Sequence, residues 1–148
     1  MAPNKPKNIF INGPITPAFI AESIQKHSSK KSIGAHQLFL GQVRADVLPQ
    51  GAITGIEYSA YETMALNIAY QISEDAFAKF NLTCMHIYHS LQTVEAGQIC
   101  LFVFTSSSHR FDAVNACSYV VERIKAELPI WGKELFADNT YIWKKNLI

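Results

Sequence analysis

From Arg110 to Leu128 the chain carries neither glycine nor proline, and Pro129 stops the run. Proline lacks a backbone donor and restrains the residue before it, so the stretch reads as one long helix with a sharp end. Val114, Cys117, Val121, Ile124 and Leu128 recur at helical spacing and form a narrow apolar seam. A helix of that length needs a broad apolar surface to lie on, and the rest of the chain must supply it. Its ends are also unusual. His109 and Arg110 open it, Lys125 sits in its last turn, and Leu128-Pro129-Ile130-Trp131-Gly132-Lys133-Glu134 follows.

The other segments supply that surface. Asn8 to Ile11 reads as a short strand ended by the turn Asn12-Gly13-Pro14. Thr16-Pro17 is an N-cap with proline at the first helical position, and Phe19, Ile20 and Ile24 stripe the helix behind it. Gly34 to Arg44 is a strand apolar on both faces, with Ala35, Phe39 and Val43 against Leu38 and Leu40, which predicts a place inside a sheet. Asp46 to Gly51 is a loop, and Ile53 to Ala60 the returning strand. Glu62 to Phe80 is a helix with Ala65, Ile68, Ala69, Ile72, Ala76 and Phe80 on one face. Leu82 to Leu91 and Gln98 to Ser106 are strands joined through Glu95-Ala96-Gly97, and Thr140 to Trp143 is the last strand. The order β-α-β-β-α-β-β-α-β predicts an α+β class, with helices packed on a largely antiparallel sheet.

Composition narrows the function. With 148 residues, 49% hydrophobic and 17% charged, the chain is expected to form one domain over residues 1–148 with a full core. A net charge of +1 argues against nucleic acid, which calls for a strong basic excess. Cys84, Cys100 and Cys117 are odd in number and widely spaced, as expected of buried thiols in a reducing compartment. Met1 to Lys7 is polar, and the apolar run Ile99 to Phe104 is too short to span a bilayer. A cytoplasmic protein without membrane contact is the expectation.

A nearly neutral chain has no general need to gather cations beside apolar residues. Free backbone N–H groups at the head of a helix, with His109 and Arg110 beside them, suit an anion, and one of Ser106, Ser107 and Ser108 is expected to cap that helix. Arg44 alone reads as an ordinary strand-end arginine, although Gly41 permits a close approach nearby. Lys125 alone reads as a solvated lysine, yet it flanks the seam at Ile124, where burial of its stem would lower its pKa. His86 and His89, three apart on a strand, face opposite sides and cannot grip one ion. Neither a zinc spacing nor a nucleotide loop is present, so no metal or cofactor is expected.

Taken together, several segments resemble the large, catalytic subunit of molybdopterin synthase. They are Gly34-Ala35 leading to Phe39-x-Gly41-x-Val43-Arg44, Glu57-Tyr58-x-Ala60-Tyr61-x-x-Met64-Ala65, His109-Arg110, Lys125, and Pro129-Ile130-Trp131-x-Lys133-Glu134. The resemblance implies an α/β hammerhead-type fold and a sulfurtransferase of molybdenum cofactor biosynthesis. Such an enzyme is a heterotetramer, a central homodimer of large subunits with a small ubiquitin-like subunit at each end. The small subunit's C-terminal Gly-Gly thiocarboxylate enters the large subunit's pocket. Its sulfur passes to a cyclic pyranopterin monophosphate in two rounds, forming the dithiolene.

Carried over by position, the resemblance implies that Arg44, His109 and Arg110 hold the pterin phosphate, with Gln42 and Val43 lining the same site. Lys125 matches the principal catalytic lysine, and Gly132, Lys133 and Glu134 fall in the substrate-binding segment. The family's second catalytic lysine directly follows the tryptophan, where this chain has Gly132. Lys133 is expected to take over that catalytic role, because Gly132 gives the backbone the freedom to turn the side chain inward. The alternative is a non-catalytic subunit that binds the partner's tail and has lost turnover through Gly132. Along one helix His109 and Lys125 stand roughly 24 Å apart, so a pocket using both is expected to be shared between the two chains of the homodimer.

Overall fold

The computed structural model describes residues 7–145, so the reading of Met1 to Lys7 falls, Lys7 apart, outside the described residues. The elements run β1 (Phe10–Asn12), α1 (Pro17–Lys26), β2 (Ala35–Gln42), β3 (Val47–Leu48), β4 (Gly51–Ala60) and α2 (Glu62–Lys79). They continue with β5 (Cys84–Glu95), β6 (Ile99–Ser107), α3 (Arg110–Glu127), β7 (Ile130–Phe136) and β8 (Tyr141–Trp143). The strands form an eight-stranded sheet ordered β2-β6-β5-β4-β7-β8, with β1 on β5 and β3 on β4. Every pairing is antiparallel except β1 with β5. The α+β reading holds. Among the described residues no helix is long and apolar enough to cross a membrane.

Alternation along β6 explains why the sheet is covered on both sides. Leu101 and Val103 join the core that includes Ile72 and Ala76 of α2 and Cys117, Val120 and Ile124 of α3. Phe102 and Phe104 point the other way, into a smaller core with Ile15 and Ile20 of the α1 region. The continuous apolar run Ile99 to Phe104 is therefore a central strand buried on both faces. α1 starts as its sequence predicts, with Pro17 in its first turn and Thr16 Oγ1 accepting from the Phe19 N–H at 3.1 Å. Arg123 Nη1 donates to Asp75 Oδ2 at 2.9 Å and ties α3 to α2.

Four expectations need correction. β2 stands at the edge of the sheet, not inside it, and leaves Leu40 43% exposed. Its two apolar faces touch the two cores, Phe39 one and Leu38 the other, so apolarity on both sides reflects two layers rather than two flanking strands. The loop at Asp46 to Gly51 contains β3, which pairs back as Val47 with Ala52 and Leu48 with Gly51. The extended segment after Pro129 is a full strand, β7, paired to β4 from Ala60–Ile130 to Ile53–Phe136. Finally, α3 buries Ala113, Ala116 and Val120 beside Cys117, Val121 and Ile124, while Val114 is 46% exposed. Small alanines let the helix settle close to the sheet, which turns the seam away from Val114.

Candidate active site

α3 folds back antiparallel over β6: Thr105 Oγ1 donates to the Ala113 carbonyl at 2.7 Å, and the Cys117 thiol faces the Val103 carbonyl. Its first turn therefore stands at one end of the sheet and its last turn at the other. Around the last turn the chain leaves a cavity of about 100 Å³. Tyr58 of β4, His89 of β5, Ile124 and Lys125 of α3, Gly132 of β7 and Lys144 after β8 all line it.

The electrostatics follow from this enclosure. Lys125 presents much of its surface to solvent, yet crowding at the cavity desolvates its ammonium and lowers its pKa. The charge of Lys144 lowers it further, and Cys100 opposes the change. His89 is buried, and desolvation brings its pKa down to about 4, helped by the charges of Lys125 and Lys144 and resisted by its bond to Ser90. Its Nδ1 lies 2.8 Å from the Ser90 carbonyl, which can only accept, so Nδ1 carries the proton and Nε2 is left as an acceptor. Burial pushes the Tyr58 phenol up, as do Cys100 and Glu134, and its ring meets His89 edge-on at 5.0 Å. At neutral pH the cavity thus holds a neutral imidazole and a neutral phenol, beside a lysine whose pKa is lowered. That set can receive an anion and move a proton.

The sequence-selected residues are placed as follows. Lys125 and Gly132 meet at this cavity. His109 and Arg110 border a separate, shallow space of about 550 Å³ with Phe111, Val114 and Asn115, at the opposite end of α3. No serine caps that helix. His109 is the N-cap without a side-chain bond, Ser107 Oγ donates to the Asn81 carbonyl at 2.7 Å, and Ser106 Oγ lies 2.6 Å from His36 Nδ1. Arg44 is exposed and pairs with Asp46 at 3.3 Å. Gln42 is exposed at the end of the edge strand, and Val43 is buried in the core. Lys133, paired with Glu57, lies over the rings of Tyr141 at 4.6 Å and Trp143 at 5.2 Å, away from the cavity. Glu134 shares the face of Gly132 and acts electrostatically on Tyr58.

His86 and His89 do face opposite sides of β5. His86 turns to α1, where His27 Nδ1 donates to the Ser23 carbonyl at 2.7 Å and leaves Nε2 to accept from His86 Nε2 at 3.0 Å. With Cys84 these groups come within 4.8 Å of one another, close enough to grip an ion. As it stands the cluster satisfies itself, because Lys30 Nζ lies 2.9 Å from Cys84 Sγ. Sequence reasoning passed over three groups of the cavity: Tyr58 as a polar wall, His89 and Lys144. His89 had only an unexplained histidine inside an apolar strand to betray it. Lys144 carried no signal, since its approach depends on the pairing of β7 with β8.

Known proteins bear on this geometry. A family model described as MoaE protein matches residues 14–127, a stretch that ends before Gly132 and Lys144. A molybdopterin synthase catalytic subunit of Oryza sativa subsp. indica is 37% identical over 120 residues, covering 81% of this chain and 61% of the relative. One from Emericella nidulans is 32% identical over 121 residues, covering 82% and 62%. The chain thus spans about three fifths of the length of these curated relatives. A crystal structure of molybdopterin synthase from Staphylococcus aureus superposes with a TM-score of 0.82 at 30% identity, covering 95% of this chain and 98% of that one. A complex of subunits 1 and 2 of molybdopterin-converting factor from Helicobacter pylori shares the fold, with a TM-score of 0.79 at 24% identity over 92% of this chain and 88% of that one. The match over residues 14–127, the identity to these relatives and the shared fold together make this chain a member of the MoaE protein family.

Proposed function

We propose that the chain is the catalytic large subunit of a molybdopterin synthase, acting in the cytoplasm as a single domain over residues 1–148. It takes sulfur from the C-terminal thiocarboxylate of a small ubiquitin-like subunit and transfers it to cyclic pyranopterin monophosphate, forming the dithiolene of molybdopterin. The carrying observation is Lys125, a lysine whose pKa is lowered by desolvation at a small cavity that also holds a neutral His89. A narrow cavity suits the Gly-Gly end of an extended tail, because a larger side chain would not enter. An amine beside a reacting acyl group can accept or return a proton as the carbon–sulfur bond forms.

The phosphate of the pterin would be held by Arg44, His109 and Arg110, with Gln42 and Val43 near Arg44. Along α3, His109 and Arg110 lie roughly 23 to 24 Å from Lys125. A composite site formed by a twofold homodimer answers that separation, with α3 of one chain presenting its first turn to the Lys125 cavity of the other. The exposure of Phe111 (71%) and Val114 at the first turn supports an interface there. The assembly would be a heterotetramer of two such chains and two small subunits.

Reconstitution tests the reading. The purified chain, mixed with a thiocarboxylated ubiquitin-like partner and cyclic pyranopterin monophosphate, is expected to yield molybdopterin. Complex formation without product would instead favour a docking subunit that has lost turnover.

A further inference from the structure

We propose that Lys144 is the second basic side chain of the Lys125 cavity, delivered across the sheet by its pairing with Gly132. The inference deepens the function proposed above and rests on it for the identity of the anion, the thiocarboxylate end of the sulfur donor.

The register carries the argument. β7 and β8 pair as Leu135 with Tyr141, Glu134 with Ile142 and Lys133 with Trp143, so the next pair is Gly132 with Lys144. The Lys144 N–H donates to the Gly132 carbonyl at 2.8 Å and extends the ladder by that one step. Residues directly opposite in an antiparallel pair project to the same face. Lys144 therefore faces the cavity that Gly132 faces, and it is one of the cavity's lining residues. Lys133, one position along, projects to the other face.

Ile56 keeps position 132 a glycine, while Lys144 lies against it at ordinary contact distance. A Cβ on Gly132 would come 2.8 Å from Ile56 Cγ2, 3.5 Å from Tyr58 Cε1 and 3.7 Å from Lys144 Cβ. The space beside Gly132 is thus filled by its neighbours, the base of the Lys144 side chain among them. A side chain at position 132 would have to push Ile56 aside. A lysine at position 132 would meet Ile56, and the basic side chain comes instead from the neighbouring segment, opposite the glycine.

The charge is felt inside. Lys144 lowers the pKa of both Lys125 and His89. The titratable groups facing Lys125 are His89 on β5, Tyr58 on β4, Cys100 on β6 and Lys144 after β8, with Glu134 behind Tyr58. Lys144 acts as a positioning residue, drawing the donor's anionic end into the cavity and helping to hold the pKa of Lys125 down.

Lys144→Gln tests this, since it keeps most of the stem that lies against Gly132 and removes only the charge. In the full chain with isotope-labelled lysines, NMR titration of Lys125 should show its pKa rising towards that of an ordinary lysine. Lys144→Arg should keep it low. In the reconstituted reaction Lys144→Gln should cut kcat at neutral pH at least tenfold and move the rising limb of the pH profile to higher pH, and Lys144→Arg should restore most of the rate. A Lys125 titration unmoved by Lys144→Gln overturns the proposal. So does a wild-type rate and pH profile in Lys144→Gln while Lys125→Ala is inactive, and in that case the molybdopterin synthase reading stands. If the wild-type chain makes no product at all, that reading falls instead, and the Lys125 titration alone decides whether the two lysines are coupled.

Discussion

At its first turn α3 exposes Phe111 and Val114 beside a wide, shallow space next to His109 and Arg110; at its last turn Lys125 borders a narrow cavity walled by strands β4, β5 and β7. The cations at the two ends are chemically alike but their surroundings are not. Near the first turn the surface is open, with Phe111 71% exposed. Near the last turn, burial and a second lysine act together, and the pKa values of Lys125 and His89 both move down. One end is suited to proton chemistry, and the other is an open surface suited to binding an anion once something covers it.

The sharpest way to break this contrast is Lys125→Ala. Loss of a tuned proton-transfer group should lower product formation by roughly 10²–10⁴-fold. Stability should change by no more than about 0.5 kcal/mol, because the residue is largely exposed. Wild-type turnover in an assay with the thiocarboxylated partner would remove Lys125 from the mechanism.

The next test asks whether the two ends belong to one working site. Arg110→Ala and Lys125→Ala chains, each inactive alone, are mixed in equal amounts and allowed to exchange subunits. Half of the dimers are then mixed, and each mixed dimer has one of its two composite sites intact. Recovery of about a quarter of the wild-type activity is expected. Absence of recovery despite proven exchange would place all the residues in a single chain.

These contrasts were only partly legible in the sequence. Long, regular features were: the uninterrupted α3, the Thr16-Pro17 cap, the opposite facing of His86 and His89, and the Gly97 turn, whose φ of +92° suits glycine. What failed depended on partners far along the chain. β7 hid behind Pro129 and Gly132, which break any simple alternation, and only its register with β4 makes it a strand. Val114 has the helical spacing of the seam, yet close packing buries the small Ala113 and Ala116 in its place. Lys144 reached the site through a cross-strand pairing between segments twelve residues apart, for which periodicity has no signal.

Acid should expose the buried side of the comparison. His89 has its folded pKa depressed to about 4 from an ordinary 6.5, and burial does the same to His86 on the opposite face of β5. The unfolded chain therefore binds more protons than the folded chain between those values. The associated stability is fully present above about pH 6.5 and is lost as pH falls towards 4, on the order of 3 kcal/mol for a shift of this size. Urea unfolding at pH 7, 6, 5 and 4 should show the decline, and His89→Gln should flatten part of it. Flat stability across the range in the wild-type chain would mean that His89 and His86 are not held neutral.

The smallest effect is expected from Lys133→Ala, although Lys133 is the basic residue nearest the position where the family has its second lysine. Its ammonium lies over Tyr141 and Trp143 on the face of β7 away from the cavity. Exposed cation–π contacts of this kind contribute about 0.5–1 kcal/mol, so the variant should lose about that much stability at β8. Turning Lys133 inward would require β7 to slip by one residue, which would carry Gly132 and Glu134 to the wrong face and break the pairs with Tyr58 and Ile56. The adjacent pairs, Ser59 with Trp131 and Ala60 with Ile130, hold that register as well. Lys133→Ala should thus retain a rate within about twofold of wild type, while Lys125→Ala does not. A large fall in kcat for Lys133→Ala, with Tm lowered only slightly, would show that this lysine reaches the reacting groups in the working complex and that the two faces of β7 are not separated as the register implies.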